Sequence, residues 1–187
     1  SLGIMDIDGG TFTTSQRVLV GRGGIGALNI DGGAATFNAD LEVANGATSS
    51  GRVTLASGTL TVGSGAHLRI TDNSASVAEV IVSGGELSAT NTGVTVQSRD
   101  GQGTITQSGG RINAYDLYIG HLPSSSGTMN MSGGSNTITR NLTLGNQSNV
   151  VTGASGTLNM SGGWMDVDTL EVGVKKGTTG ELTLSGN

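Results

Sequence analysis

Val18-Leu19-Val20 runs into Gly21-Arg22-Gly23-Gly24-Ile25-Gly26, a G-x-G-x-x-G spacing. Asp40 and Glu42 follow at the distance where a dinucleotide-binding unit keeps the carboxylate for its ribose. The chemistry fails on its next requirement. The third glycine must open a helix whose first amides hold pyrophosphate. Here Ala27-Leu28-Asn29-Ile30-Asp31-Gly32-Gly33 alternates apolar and polar residues, which is a strand period, and then breaks. No organic cofactor is implied.

Acids come next. Asp6, Asp8 and Asp31, with Asn29 beside them, offer hard oxygen ligands and are the candidate calcium site. The competing reading makes them solvated corner acids that discourage edge pairing. Asp166 and Asp168 form a second pair near Glu171. General acid–base work on a polysaccharide would need a basic partner there, and no Arg, Lys or His occupies matching rows, so no catalytic residue is assigned. His67 and His121 stand far apart and read as surface residues. Tyr115, Tyr118 and Trp164 are the candidate ligand-binding residues, because exposed rings stack on the CH faces of sugars.

Composition limits what can position these groups. Glycine is 34 of 187 residues, charged residues are 12% and aromatics 3%. A thick core of large side chains is excluded, but a narrow cross-section repeated along the chain is not. The glycines follow no three-residue period, so collagen is excluded. A net charge of −5 argues against nucleic acid, which needs a basic face. With no cysteine there is neither a disulfide framework nor a thiolate metal site. The uncharged stretch from Asn141 to Met165 is too rich in Ser, Thr, Asn and Gly to span a membrane. No signal peptide is visible, and an export signal is expected outside this sequence.

Self-similarity organises the rest. Relatives of Gly156-Thr-Leu-Asn-Met-Ser-Gly-Gly begin at Gly3, Gly26, Gly51, Ala78, Gly103, Gly127 and Gly180, at intervals of 23 to 29 residues. Each repeat holds three short alternating stretches. The first carries pairs such as Leu28/Ile30 and Leu158/Met160. The second carries Phe12, Leu60, Leu87, Ile112 or Met165. The third carries pairs such as Leu41/Val43, Leu68/Ile70, Val94/Val96 and Leu142/Leu144. Alternation puts these side chains on one face. Stacking the repeats predicts an all-β chain: a three-sided parallel β-helix of about seven coils and a partial eighth, one domain over residues 1–187. The general preference for right-handed crossovers sets its expected hand. All five methionines and both phenylalanines fall inward. Gln107 is the exception, an inward polar residue that needs a buried partner. Insertions at Thr71 to Val77, His121 to Ser126 and Asn146 to Ser155 share one corner, where a ligand is expected first. The outward row Thr13, Thr36, Thr61, Ser88, Asn113, Thr137, Asp166 resembles an ice-binding ladder, but its companion row is uneven.

Repeats of the form GTLNMSGG, followed by Leu170-Glu-Val-Gly or Leu142-Thr-Leu-Gly, resemble those of bacterial autotransporter passenger domains and related outer-surface proteins. The resemblance covers nearly the whole chain and carries over no catalytic residue. It implies a β-helix displayed at the surface of a bacterial cell, as an adhesin, stalk or fibre subunit, with a cell-surface glycan as a possible ligand. A carbohydrate-binding or polysaccharide-degrading helix is the alternative. The first stretch occurs eight times and the others seven. Neither Ser1-Leu2 nor Ser185-Gly186-Asn187 reads as a polar cap, so continuation of a longer helix, or association with a second copy through the ends, is expected.

Overall fold

A computed structural model of the chain describes residues 1–91, 95–146 and 153–186. Among the described residues every regular element is a strand. The first coil is β1 (Leu2–Ile7), β2 (Thr11–Thr14) and β3 (Val18–Val20). Later coils follow as β4 (Ile25–Phe37), β5 (Leu41–Val43), β6 (Ser50–Val62), β7 (Leu68–Val82), β8 (Glu86–Ala89) and β9 (Thr95–Gln107). The last are β10 (Arg111–Ile119), β11 (Ser126–Met131), β12 (Ser135–Leu144), β13 (Ser155–Met160), β14 (Trp164–Val172) and β15 (Thr179–Leu184).

All pairings are parallel and form three ladders. The first aligns Gly3, Gly26, Gly51, Ala78, Gly103, Gly127, Gly156 and Gly180 in one register line. These are the repeat starts expected from the sequence. The second aligns Phe12, Ala35, Leu60, Leu87, Ile112, Asn136 and Met165. The third aligns Val18, Leu41, Leu68, Val96, Leu117, Leu142 and Leu170. The protein is a β-solenoid with coils of about 25 residues.

One register differs from expectation. The third stretch of the fourth coil is Val96/Ser98, since Val96 pairs with Leu68 and Ser98 with Ile70. Val94 lies outside the described residues. A shift of two residues leaves every side chain on the same face, so alternation cannot tell the two registers apart.

The inward rows make a single core. Leu28, Leu55, Leu60, Leu68, Leu87, Ile105, Ile112 and Leu117 are fully buried, and Phe12 packs on Phe37 at 5.9 Å between ring centroids. All five methionines face inward: Met129 and Met131 are buried, and Met5, Met160 and Met165 pack partly buried against the cluster. Gln107 finds its partner in Asn136. Gln107 Nε2 donates to Asn136 Oδ1 at 2.9 Å, and Asn136 Nδ2 returns the bond to Gln107 Oε1 at 2.7 Å. The Ile112 amide also donates to Asn136 Oδ1, and Gln107 Nε2 also reaches the Gly109 carbonyl. Both side chains are fully buried with their polar groups satisfied, as the cost of an unpaired amide requires.

The repeat glycines answer to close backbone approach. A Cβ on Gly156 would sit 2.0 Å from the carbonyl oxygen of Ile119 and 2.4 Å from the amide nitrogen of Gly145. Gly26, Gly51, Gly127 and Gly180 likewise fit against the backbone of the third corner. A side-chain lock closes several of these corners. Ser49, Ser76 and Ser125 each donate to the carbonyl three residues back at 2.6 Å, and Thr178 does so at 2.8 Å.

Candidate functional site

The outer side of the third ladder concentrates the buried charge of the molecule. Glu42 points outward between inward Leu41 and Val43, yet its side chain is fully covered. Arg69 of the next coil spans Glu42 Oε1 at 3.1 Å and Asp40 Oδ2 at 2.9 Å. Arg17 of the previous coil reaches Glu42 Oε1 at 3.5 Å. Asn45, just past the corner, donates through Nδ2 to Glu42 Oε2 and to Asp72 Oδ2, the latter at 3.2 Å. Asp40 Oδ1 accepts the His67 amide at 2.8 Å. Three successive coils are braced by this network.

A second brace joins the fifth and sixth coils. Asp116 is fully buried and accepts both Nε and Nη2 of Arg140, the Nε bond at 2.8 Å, in the bidentate geometry that suits guanidinium and carboxylate. The Asn141 amide adds a bond to Asp116 Oδ1 at 3.3 Å. The Asp116 bond holds the Arg140 proton more firmly than usual. Arg140 also lies 4.6 Å over the Tyr115 ring, a cation–π contact. Tyr118 stacks on His121 at 4.6 Å. Burial, and then the negative charge of Asp116, push the Tyr118 hydroxyl above its ordinary value.

These braces are built to hold rather than to react. Glu42 and Asp116 have no exposed surface, and each oxygen named above already accepts a donor. A general base must reach a substrate proton, which these two cannot.

The sequence candidates are distributed differently. Asp6 pairs in register with Asn29, not with Asp31, and accepts its amide at 2.7 Å. Asp31 accepts Ser57 Oγ at 3.1 Å. Asp8 stays exposed. Among the described residues no group of three or more His, Cys, Asp or Glu is placed to hold a metal ion. Asp166 and Asp168 are exposed on the second ladder, while Glu171 lies on the third and accepts Thr143 Oγ1 at 3.0 Å. Tyr115 and Tyr118 share the Asp116–Arg140 neighbourhood, whereas Trp164, 56% exposed, belongs to the seventh coil. The Gly21 to Gly26 stretch is the third corner of the first coil and leads into β4. Of the expected insertions, residues 147–152 lie outside the described residues. Asn45, Asp116 and Arg140 are not among the sequence candidates, and Glu42 enters there only as a carboxylate of the excluded dinucleotide motif. Their signal was a charged residue beside the inward pair of the third stretch, as at Leu41-Glu42-Val43.

Fold and site together define a β-solenoid whose outer charges brace neighbouring coils. Comparison with protein-family models, with curated proteins and with solved structures finds no match to this chain.

Proposed function

We propose that this chain is a non-catalytic structural or adhesive β-solenoid that works outside the cell, as a surface stalk, an adhesin passenger segment or a fibre subunit. The unbroken register of the first ladder from Gly3 to Gly180 carries this reading. Eight strands at the parallel spacing make a stiff rod roughly 34 Å long, in which each coil is held by its neighbours. The buried carboxylates serve that rod, because each is spent on cross-coil bonds. The passenger-like repeats supply the setting at a cell surface.

Two measurements test it. Brief protease treatment of intact producing cells should release peptides of this chain without breaking the cells. Incubation with a panel of soluble polysaccharides should yield neither new reducing ends nor unsaturated products. Protection of the chain inside intact cells would refute the location, and a cleaved polysaccharide would refute the non-catalytic role.

A further inference from the structure

The outer side of the first ladder changes character along the rod. In the first four coils its rows include Asp6, Asp8, Asp31, Arg52 and Glu79. In the fifth to seventh coils every outward position is a neutral hydrogen-bonding residue. Thr104, Thr128 and Thr157 share one register line, and Thr106, Asn130 and Asn159 share the next. A third row, Ser108, Ser132 and Ser161, stands where the strands end. There the Ser132 amide donates to the Gln107 carbonyl and the Ser161 amide to that of Met131, both at 2.8 Å. The result is a three-by-three array, spaced about 4.8 Å along the axis and about 6.6 Å along each strand.

The array contains a groove. Thr106, Asn130 and Asn159 line one side, Ser132, Ser161 and Ser185 the other, around about 160 Å³ with Met131 in its lining. Because each side is made of register-matched residues from successive coils, the groove follows the rod axis. Asn159 Nδ2 donates to Asn130 Oδ1 at 3.0 Å, which orients both amides along the row. Each amide carries two donor hydrogens and an acceptor, and each hydroxyl can do either. Past Ser161 the chain turns through Gly162-Gly163 to exposed Trp164, an aromatic platform on the adjoining face.

We propose that this array binds a neutral polysaccharide chain laid along the solenoid axis. A charge-free surface of alternating donors and acceptors matches a charge-free polymer of hydroxyls. Repetition at every coil suits a ligand that also repeats. Glu181 bounds the array beyond Thr157, where a polyanion would be repelled, while Glu79, beyond Thr104, is paired with Arg52 at 3.0 Å. The ligand class deepens the adhesive reading and depends on it for biological setting alone.

Co-sedimentation with insoluble cellulose and chitin, and with alginate beads as the anionic control, tests the surface. The chain should be retained on at least one neutral polymer and not on alginate. Asn130→Asp with Asn159→Asp should reduce apparent affinity tenfold or more. Thr137→Asp should leave it unchanged, because that row already holds Asp166 in register. If the paired variant loses its β circular dichroism, Thr128→Lys gives the same test from the neighbouring row. Absence of retention on both neutral polymers, equal retention of folded variants, or preference for alginate would overturn the proposal. Growth-shaping of ice crystals with no polymer retention would reassign the array to another ligand. Surface exposure on cells is read separately, so failure here leaves the structural role standing.

Discussion

Directly after the third stretch of six coils the backbone turns through positive φ, and the residues that do so are not all glycine. Gly21, Gly120, Gly145 and Gly173 make the turn at φ between 64° and 81°, while Ala44 and Thr71 make it at 58° and 64°. Positive φ costs an ordinary residue about 1–2 kcal/mol, and β-branched Thr71 is a strong outlier. The corner also differs in the room it leaves. Ala44 is buried with its methyl accommodated, whereas a Cβ on Gly120 would lie 2.0 Å from the carbonyl oxygen of Ser155. Equivalent positions should therefore respond unequally. Gly120→Ala should destabilise by ~3 kcal/mol or more, combining backbone strain with displacement of the next coil. Ala44→Gly should stay within about 1 kcal/mol of neutral, since relief of strain offsets the flexibility gained by the unfolded chain. Urea titration of both variants measures this, and similar losses would mean that the corner is not sterically limited by the following coil.

Element by element, stacking register was legible because the first stretch starts with glycine in seven of eight repeats, and at Gly26, Gly51, Gly127, Gly156 and Gly180 a Cβ would collide with the third corner. The register of the fourth coil's third stretch was not legible, because a shift of two residues preserves the alternation, and only strand pairing sets Val96 against Leu68 and Ser98 against Ile70. Gln107 stood out as polar in an apolar row, yet Asn136 did not, because its row mixes Ala35 with larger residues and so tolerated an exception. The ion braces were illegible for a related reason. Alternation predicts that Glu42 and Asp116 face away from the core, which is true, but not that neighbouring coils cover them. The amide pair itself gives a sharp test. Gln107→Leu or Asn136→Leu alone strands a buried amide and should cost about 2–3 kcal/mol each. The double variant replaces both partners with apolar groups and should cost much less than the two single losses together. Thermal or urea unfolding of all four proteins closes the cycle. Additive losses would show that the two amides do not act as a unit.

At the scale of the whole molecule, strand contacts among the described residues join coils one or two apart, so stability should be graded along the rod rather than uniform. Central first-ladder residues are sealed from both sides: Val53, Leu55, Val80 and Val82 are buried. In the last coils the same kinds of inward residue are partly open, with Leu170 at 46%, Leu182 at 37% and Leu184 at 70% exposure. The braces reinforce the gradient. Arg17, Glu42 and Arg69 tie the first three coils, Asp116 and Arg140 tie the fifth to the sixth, and Thr143 bonds Glu171 between the sixth and seventh. Among the described residues the last ion pair along the rod is thus two coils from Leu184. Opening should begin at the last strand and move inward one coil at a time. Native-state hydrogen exchange should find the amides of Thr183 and Leu184 exchanging first, those of Leu158 to Met160 later, and those of Val53 to Leu55 and Val80 to Val82 last. The neutral array lies on coils that this order places between the labile end and the stable centre, so it would stay flat under conditions that fray β15. Equal protection of the first and last of these groups would mean that the rod opens only by global unfolding, and that nearest-neighbour stacking does not describe its stability.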